Sequence, residues 1–362
     1  MRLTVLSVAF PFAPVGCDAV GGAEQILSAL DHGLVRAGHR SVVVACEGSV
    51  TSGRLVVTPR TNGAIAETER QRAYRRHRAA IERALRQWPI DLIHMHGIDF
   101  HAYLPPPGPP VLVTLHLPPE WYAAEALLPT RPETFLHCVS TSQRARCPPE
   151  VPLLPEISNG VPVAALASHH TKRNFALTLG RICPEKGFHL ALGASHRAGV
   201  PLLVAGEVFG YEAHETYFAR EVVPRLDGQR RFIGPIGFAR KRRLLTAARS
   251  VLIPSLAPET SSLVAMEALA CGTPVIAFAS GALPEIVEHG RTGFIVHDER
   301  EMADAIHAAA AIDPETCRQT AWARFSLEQT IERYLALYRT LVAGEMTAPS
   351  RRGSRELARA IA

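Results

Sequence analysis

Short apolar runs separate helical segments along the whole chain. Six predicted strands lie in the first half: Leu3–Phe10, Ser41–Cys46, Leu55–Thr58, Asp91–His96, Val111–His116 and Phe135–Ser140. Six more lie in the second half: Ala176–Gly180, Pro201–Gly206, Arg231–Gly234, Val251–Pro254, Pro274–Phe278 and Gly293–His297. Strands that are apolar throughout and alternate with helices are typical of a parallel sheet covered on both faces. Two such series predict an α/β protein with two doubly wound, Rossmann-like domains.

A polar, irregular stretch, SNGVPVAALASHHTKRN at 158–174, separates the two series. We therefore place the first domain at residues 1–165 and the second at 166–330. Residues 331–362 are predicted to form a closing helix, over about 326–343, and a loosely ordered tail from Thr347. Open α/β sheets bind ligands at the carboxyl ends of their strands, so we expect a site in the cleft that the two domains face.

The segment PSLAPETSSLVAMEALACGTPVIAF contains Glu259 and Glu267 with seven residues between them. Ser262, or its neighbour Ser261, is suited to cap a helix over 263–271. Every residue of this helix except Glu267 is apolar, which predicts a buried helix. A buried carboxylate is costly unless it receives hydrogen bonds. Because amides at a helix N-terminus favour an anion, the segment suits a molecule with hydroxyl groups and a phosphate, such as a nucleotide sugar.

The loop GRICPEKGFHL follows the first strand of the second series. It contains two cations, Arg181 and Lys186, which can clamp a diphosphate through a planar fork and a point charge. A solvated loop is the alternative interpretation. The Glu259–Glu267 segment in the same half of the chain favours the phosphate role.

Two motifs follow strands of the first half. Gly21 and Gly22 precede a predicted helix, where close approach of an anion and a plain turn explain the pair equally well. His116 ends a predicted strand, although an unsupported histidine is more often structural. We interpret His94 and His96 as structural, and no metal site is predicted, because a site built from these three histidines lacks a recognised zinc spacing.

Composition narrows the class of protein. With 362 residues, 47% of them hydrophobic and 20% charged, the chain suits a soluble globular enzyme. Its seven cysteines are an odd number without a CxxC pair, which predicts buried free thiols in a reducing compartment. No run is long enough to span a bilayer, and MRLTVLSVAF resembles a first strand more than a signal peptide. These features predict a cytoplasmic protein.

The predicted helix over 67–87 is strongly basic. Its arginines are Arg70, Arg72, Arg75, Arg76, Arg78, Arg83 and Arg86. A solvated face is the ordinary explanation, and peripheral contact with the inner membrane surface is the sharper alternative. Nucleic-acid binding is not predicted, because aromatic residues do not alternate with the basic ones.

Taken in order, these motifs resemble the retaining glycosyltransferases of family four, which have the GT-B architecture. The resemblance rests on GGAE at 21–24, TLH at 114–116, SNGVP at 158–162, GRICPEKG at 180–187 and the Glu259–Glu267 spacing, and it covers nearly the whole chain. It implies two Rossmann-like domains and transfer of a hexose from a nucleotide diphosphate sugar.

The resemblance implies catalytic roles for four residues. Arg181 and Lys186 would neutralise the departing diphosphate, Glu259 would bind hydroxyls of the transferred sugar, and His116 would contact the sugar near the reacting carbon.

The resemblance also implies donor-binding roles. Glu267 would hold the ribose hydroxyls, amides near Ser262, Leu263 and Val264 would help to bind the donor, and Gly22 would approach the phosphates or the acceptor.

The same resemblance implies front-face transfer, in which the diphosphate acts as the base. The chain lacks a DxD motif and two cations can take its place, so we expect no metal and no cofactor. UDP is the expected nucleotide because it is the commonest in similar enzymes. The acceptor is a sugar, a lipid or a small molecule, between which the sequence does not distinguish.

Three alternatives stay open. A nucleotide-sugar 2-epimerase would need no acceptor, and a phosphorylase would need a pyridoxal-bearing lysine region and a longer chain. A non-catalytic nucleotide-sugar-binding or scaffold protein belongs to a different class. The chain has all four charged residues of the expected site, Arg181, Lys186, Glu259 and Glu267, which counts against a non-catalytic protein.

Overall fold

The computed structural model describes residues 2–61, 66–168 and 170–346. The chain forms two compact units, of which the first comprises Met1–Ser158 with Glu328–Ala362 and the second Asn159–Leu327. The C-terminal helix therefore belongs to the first unit, whereas the predicted bounds set residues 331–362 apart. The predicted tail from Thr347 lies outside the described residues.

The first unit contains a seven-stranded parallel sheet. Its strands are β1 (Thr4–Val8), β2 (Arg40–Cys46), β3 (Arg54–Thr58), β4 (Leu92–Met95), β5 (Val111–Leu115), β6 (Thr134–Cys138) and β7 (Leu153–Leu154). The order is β3-β2-β1-β4-β5-β6-β7, so the chain reverses its direction of growth between β1 and β4. In sheets of this kind, ligands bind beside the carboxyl ends of such a pair.

The second unit contains a six-stranded parallel sheet with the order β10-β9-β8-β11-β12-β13. Its strands are β8 (Ala176–Leu179), β9 (Leu202–Ala205), β10 (Arg230–Phe232), β11 (Ser250–Ile253), β12 (Val275–Phe278) and β13 (Gly293–Val296). The predicted Rossmann-like fold is confirmed in both units. Only β7 has no predicted counterpart, because it is two residues long and prolines flank it.

Helices connect the strands and cover the sheets. They are α1 (Gly22–Arg36), α2 (Glu67–Gln87), α3 (Ala124–Leu127), α4 (Thr141–Arg146), α5 (Val163–Leu166), α6 (Phe188–Ala198), α7 (Glu212–Tyr217), α8 (Phe238–Ala247), α9 (Leu263–Ala270), α10 (Leu283–Ile286), α11 (Glu299–Ala308), α12 (Pro314–Arg324) and α13 (Leu327–Val342). The predicted basic helix and closing helix correspond to α2 and α13. The cysteines are free, as predicted; six are buried, whereas Cys17 is exposed.

A buried polar network ties α13 to the first sheet. His137 Nδ1 lies 3.0 Å from the Cys138 carbonyl oxygen and must donate to it, so His137 Nε2 accepts from the Thr114 hydroxyl at 2.7 Å. The Thr114 oxygen then accepts from His94 Nε2, and His94 Nδ1 accepts from the Tyr338 hydroxyl at 2.8 Å. Both nitrogens of His94 are therefore engaged, which supports its structural interpretation and leaves none for a metal.

Six buried histidines of the first unit, His39 among them, have a pKa below the ordinary value of 6.5. Burial is the largest cause in each case: it lowers the pKa of His77 and His137 to about 4 and of His116 to about 3, and it lowers the pKa of His94 and His96 well below 6.5. Neutral rings are what the network requires, since each acceptor nitrogen must stay unprotonated.

The low pKa values of these histidines predict that the folded protein loses stability in mild acid. Their pKa values are lower in the folded state than in the unfolded chain, so between pH 7 and 5 the unfolded chain takes up protons that the folded chain excludes. The free energy of unfolding should therefore fall as the pH is lowered, by about 2 kcal/mol for His77 alone. Urea unfolding at several pH values measures this. His77→Gln should reduce the slope and the exposed His307→Gln should not; a stability that is flat over this range would contradict the assignment.

Candidate active site

Helix α9 contains a buried carboxylate. Ser262 caps the helix, and its hydroxyl accepts a hydrogen bond from the Ala265 amide at 3.4 Å. The helix is buried from Ala265 to Ala270, and Glu267 is only 4% exposed. Burial raises the pKa of the Glu267 carboxyl, and Lys241 partly opposes the rise. The predicted buried helix with one buried acid is confirmed.

Lys241 is the charge partner that sequence reasoning missed. It lies on α8, and its Nζ donates to Glu267 Oε1 at 2.6 Å. Both side chains are largely withdrawn from water, so removing either would leave a buried charge unpaired. In the sequence, Lys241 stands in a run of basic residues that resembles a solvated face. The sequence offers one indication of such a partner, because a buried Glu267 carboxylate needs a hydrogen-bond donor.

Glu259 lies in the loop before α9 and has two side-chain donors. Lys186 Nζ donates to Glu259 Oε1 at 2.5 Å, and the Ser255 hydroxyl donates to the same oxygen. Glu259 is the more buried partner, since its side chain is 10% exposed against 29% for Lys186. The structure thus brings together two residues that the sequence analysis assigned to one site, 73 positions apart along the chain.

The backbone at Glu259 is held by the turn after β12. The Ala282 amide donates to the Glu259 carbonyl oxygen at 2.7 Å. Gly281 has a φ of +57°, and a Cβ at this position would lie 2.1 Å from that oxygen and 2.5 Å from the Glu259 nitrogen. Only glycine allows this approach, and Gly281 therefore fixes the position of the Glu259 backbone.

The cationic loop is bonded to the same region. Its short 3₁₀ turn, Pro184–Lys186, ends at Gly187, whose φ of +63° permits contact with the Pro254 carbonyl oxygen. The Leu256 amide donates to the Glu185 carbonyl oxygen at 2.8 Å. These backbone contacts place Lys186 against Glu259.

Arg181 is partly buried at the start of this loop. In the described part of the chain its guanidinium has no hydrogen bond to Glu259 or Glu267. Burial lowers the pKa of the His214 imidazole, and the positive charge of Arg181 lowers it further. Arg181 therefore lies in the same loop as Lys186 but does not take part in the Lys186–Glu259 pair.

Gly22 belongs to the first unit and begins α1. Gly21 is the N-cap, and the Glu24 carboxylate oxygen lies 1.8 Å from where a Cβ of Gly21 would be. A carboxylate already lies against this N-terminus. It would compete with a phosphate there, so the geometry lends the anion-binding role of Gly22 little support.

His116 also belongs to the first unit, just beyond the end of β5. It is 9% exposed, and its Nε2 lies 3.0 Å from His96 Nδ1, while its backbone amide donates to the Tyr122 hydroxyl at 2.9 Å. The low pKa of His116 makes the ring a neutral hydrogen-bonding group near pH 7. It would therefore orient a substrate group without supplying positive charge.

Two known families match stretches of the chain that contain the residues described above. The family described as Glycosyl transferases group 1 matches residues 173–311, and Glycosyltransferase Family 4 matches residues 20–147. The chain belongs to the family 4 (group 1) glycosyltransferases. The group 1 match includes the cationic loop, Lys241, both glutamates and Gly281, and the family 4 match includes Gly22 and His116 of this glycosyltransferase chain.

Curated relatives carry the name D-inositol 3-phosphate glycosyltransferase. The chain is 35% identical to the protein from Mycobacterium marinum over 191 residues, which are 49% of this chain and 40% of the relative. It is 40% identical to the Nocardioides sp. protein over 116 residues, which are 30% of this chain and 25% of the relative. The chain thus spans less than half the length of the curated relatives it matches.

Solved structures share the fold over nearly the whole length of this family member. AviGT4, a glycosyltransferase involved in avilamycin A biosynthesis, is 26% identical with a TM-score of 0.69, and 95% of this chain and 99% of that chain are covered. HepE from Anabaena, in complex with UDP-glucose, is 20% identical with a TM-score of 0.70 over 93% and 100% of the two chains. Sucrose-phosphate synthase from Thermosynechococcus elongatus is 21% identical with a TM-score of 0.79 over 95% and 100%. The likeness confirms the GT-B type of fold.

No helix in residues 2–61, 66–168 and 170–346 has the length and apolar character needed to cross a membrane.

Because Gly281 lies against the Glu259 backbone, one added methyl group at position 281 should destabilise the protein strongly. Gly281→Ala should lower the free energy of unfolding by about 2 kcal/mol or more, because strained backbone and a clash with Glu259 add. Gly290→Ala is the matched control: its φ is also positive, at +76°, but nothing lies within 4 Å of the added carbon. It should cost only about 1 kcal/mol. Urea unfolding compares the two variants, and equal losses would show that the Glu259 contact is not tight.

Proposed function

We propose that this chain is a retaining glycosyltransferase that moves a hexose from a nucleotide diphosphate sugar, UDP-sugar by first choice, to a hydroxyl group of an acceptor. The observation that carries the proposal is the Lys186–Glu259 pair at the entrance to α9. It combines a cation for phosphate with a carboxylate for sugar hydroxyls in one place. HepE, which shares the fold, is described in complex with UDP-glucose, which supports UDP as the first nucleotide to test.

The second unit offers a group for each part of the donor. Glu267 Oε1 is occupied by Lys241, and we assign Oε2 to the ribose hydroxyls. The amides of Leu263 and Val264 precede the first hydrogen bonds of α9, which are made by Ala265 and Met266 to Ser262. They are therefore available to a phosphate oxygen at the positive end of the helix.

The chemistry follows from charge. The bond between the anomeric carbon and a phosphate oxygen breaks, its electron pair stays on the diphosphate, and positive charge develops on the sugar. Lys186 has three N–H groups and gives one to Glu259, so two remain for the leaving phosphate. Arg181 adds a second cation, and this electrostatic stabilisation lowers the barrier.

The acceptor hydroxyl attacks from the face that the diphosphate leaves, and its proton passes to the departing phosphate oxygen. The anomeric configuration is retained without a covalent enzyme intermediate. Neutral His116 orients a sugar hydroxyl near the reacting carbon. Two protein cations take the place of a metal on the phosphates, so we propose a reaction that is independent of metal and cofactor.

The curated relatives give the first acceptor to test. They are named for D-inositol 3-phosphate, a small phosphorylated polyol, and the aligned region is a minority of their length. A sugar and a lipid-linked sugar are the other acceptor classes.

Helix α2 supports contact with an anionic surface as a further part of the proposal. All seven of its arginines are exposed, and its buried face is formed by residues such as Ala73, His77 and Ile81. The exposed face has no large apolar side chain, so contact with a membrane would be electrostatic and would weaken with salt.

The testing experiment measures release of nucleotide diphosphate from UDP-, GDP- and ADP-sugars, with and without acceptors, in excess EDTA. We expect acceptor-dependent release with UDP-sugar and a product of unchanged anomeric configuration by NMR. Lys186→Ala should lower turnover about 100-fold or more, and it should affect turnover far more than the free energy of unfolding, because Ser255 still donates to Glu259. Arg197→Ala, an exposed cation on the neighbouring α6, is the control and should retain full activity.

Each alternative has its own result. Donor binding without release under any condition would indicate a non-catalytic binder, and release that needs no acceptor would indicate a 2-epimerase. Loss of activity in EDTA that added metal restores would contradict the metal-independent mechanism.

A further inference from the structure

Three metal-ligating side chains converge beside the cationic loop. In the part of the chain that the structure describes, Cys183, Glu185 and His214 are brought so close that one ligand atom from each lies within 4.8 Å of the others. Cys183 and Glu185 flank Pro184 at the start of the 3₁₀ turn, and His214 lies on α7. The group therefore joins two segments that are about 30 positions apart.

The imidazole of His214 gives a second, independent indication of a ligand. Its Nδ1 is buried and has no hydrogen-bond partner among the described residues. Phe209 and Tyr211 hold the ring in place, with centroids 6.4 Å and 5.1 Å from it. A buried ring nitrogen without a partner is costly, and coordination would satisfy the ring.

We propose that Cys183, Glu185 and His214 bind a zinc-class divalent transition metal ion. Sulfur, imidazole and carboxylate together favour Zn²⁺ or Co²⁺ over Mg²⁺ or Ca²⁺, which prefer oxygen. Three protein ligands leave a fourth tetrahedral position for water. The proposal does not depend on the transfer reaction.

Binding requires one proton to leave. The Cys183 thiol now donates to the Arg181 carbonyl oxygen at a sulfur–oxygen distance of 3.6 Å. The thiolate is the ligand, so the thiol proton passes to solvent as the sulfur–metal bond forms. Thiolate, carboxylate and a dication sum to zero charge, and the metal thus cancels the negative charge of Glu185 within the loop that carries Arg181 and Lys186.

The proposed metal site is separate from the residues of the proposed transfer reaction. Its ligands exclude Lys186, Glu259 and Glu267, and the metal would tie the loop 181–187 to α7. Metal binding should therefore raise the thermal stability of the protein, whereas sugar transfer should continue in EDTA.

The test uses the full chain without a histidine tag. Co²⁺ titration should give a thiolate-to-cobalt absorption band that saturates at one ion per chain, and Zn²⁺ should abolish it. A chromophoric chelator then gives the Zn²⁺ affinity by competition. Cys183→Ser should remove the band, and both Cys183→Ser and His214→Gln should weaken Zn²⁺ binding at least about tenfold. Cys17→Ser removes an exposed thiol elsewhere and should change neither readout.

Thermal unfolding shows whether the two ligand variants are still folded. In EDTA both ligand variants should melt as cooperatively as the wild type, and Zn²⁺, but not Mg²⁺, should raise the Tm of the wild type alone. The proposal is overturned if the wild type binds no stoichiometric Zn²⁺, or if Cys183→Ser or His214→Gln binds it as tightly as the wild type.

Discussion

A carboxylate inside an apolar helix is the constraint on which the second unit depends. Glu267 is almost fully buried in α9, and among the residues that the structure describes the Lys241 ammonium alone offsets the cost of its charge. Loss of one partner of such a pair costs about 3–5 kcal/mol, whereas an apolar residue in place of both would often be tolerated. A fold that keeps the charged pair therefore retains it at some risk to stability, which is characteristic of functional sites.

Glu259 shows the same principle with more supports. Three separate segments hold it: the cationic loop through Lys186, the end of β11 through Ser255, and the turn after β12 through Gly281. Parallel strands place all three at one edge of the sheet. The carboxylate and the ammonium are thus held by contacts within the protein, and such preorganisation is what electrostatic catalysis requires.

The sequence was sufficient for the fold because hydrophobic periodicity determines it. Within the described residues, twelve of the thirteen strands and the buried helix α9 were predicted from short, largely apolar runs. Charge pairing was less accessible: nothing in the run KRR distinguishes Lys241 from Arg242 and Arg243, since helix packing decides which one reaches Glu267. The carboxylate of Glu24 over Gly21, and the His214 nitrogen that has no partner in residues 2–61, 66–168 and 170–346, likewise depend on rotamers and neighbours.

Isothermal titration of UDP into two variants of α8 tests the central claim most directly. Lys241→Met leaves Glu267 buried without its partner and should weaken UDP binding at least about tenfold, since an unpaired buried carboxyl is expected to take up a proton or move. Arg243→Met, an exposed change on the same helix, should bind UDP as the wild type does. Wild-type affinity in the Lys241→Met variant would contradict the account.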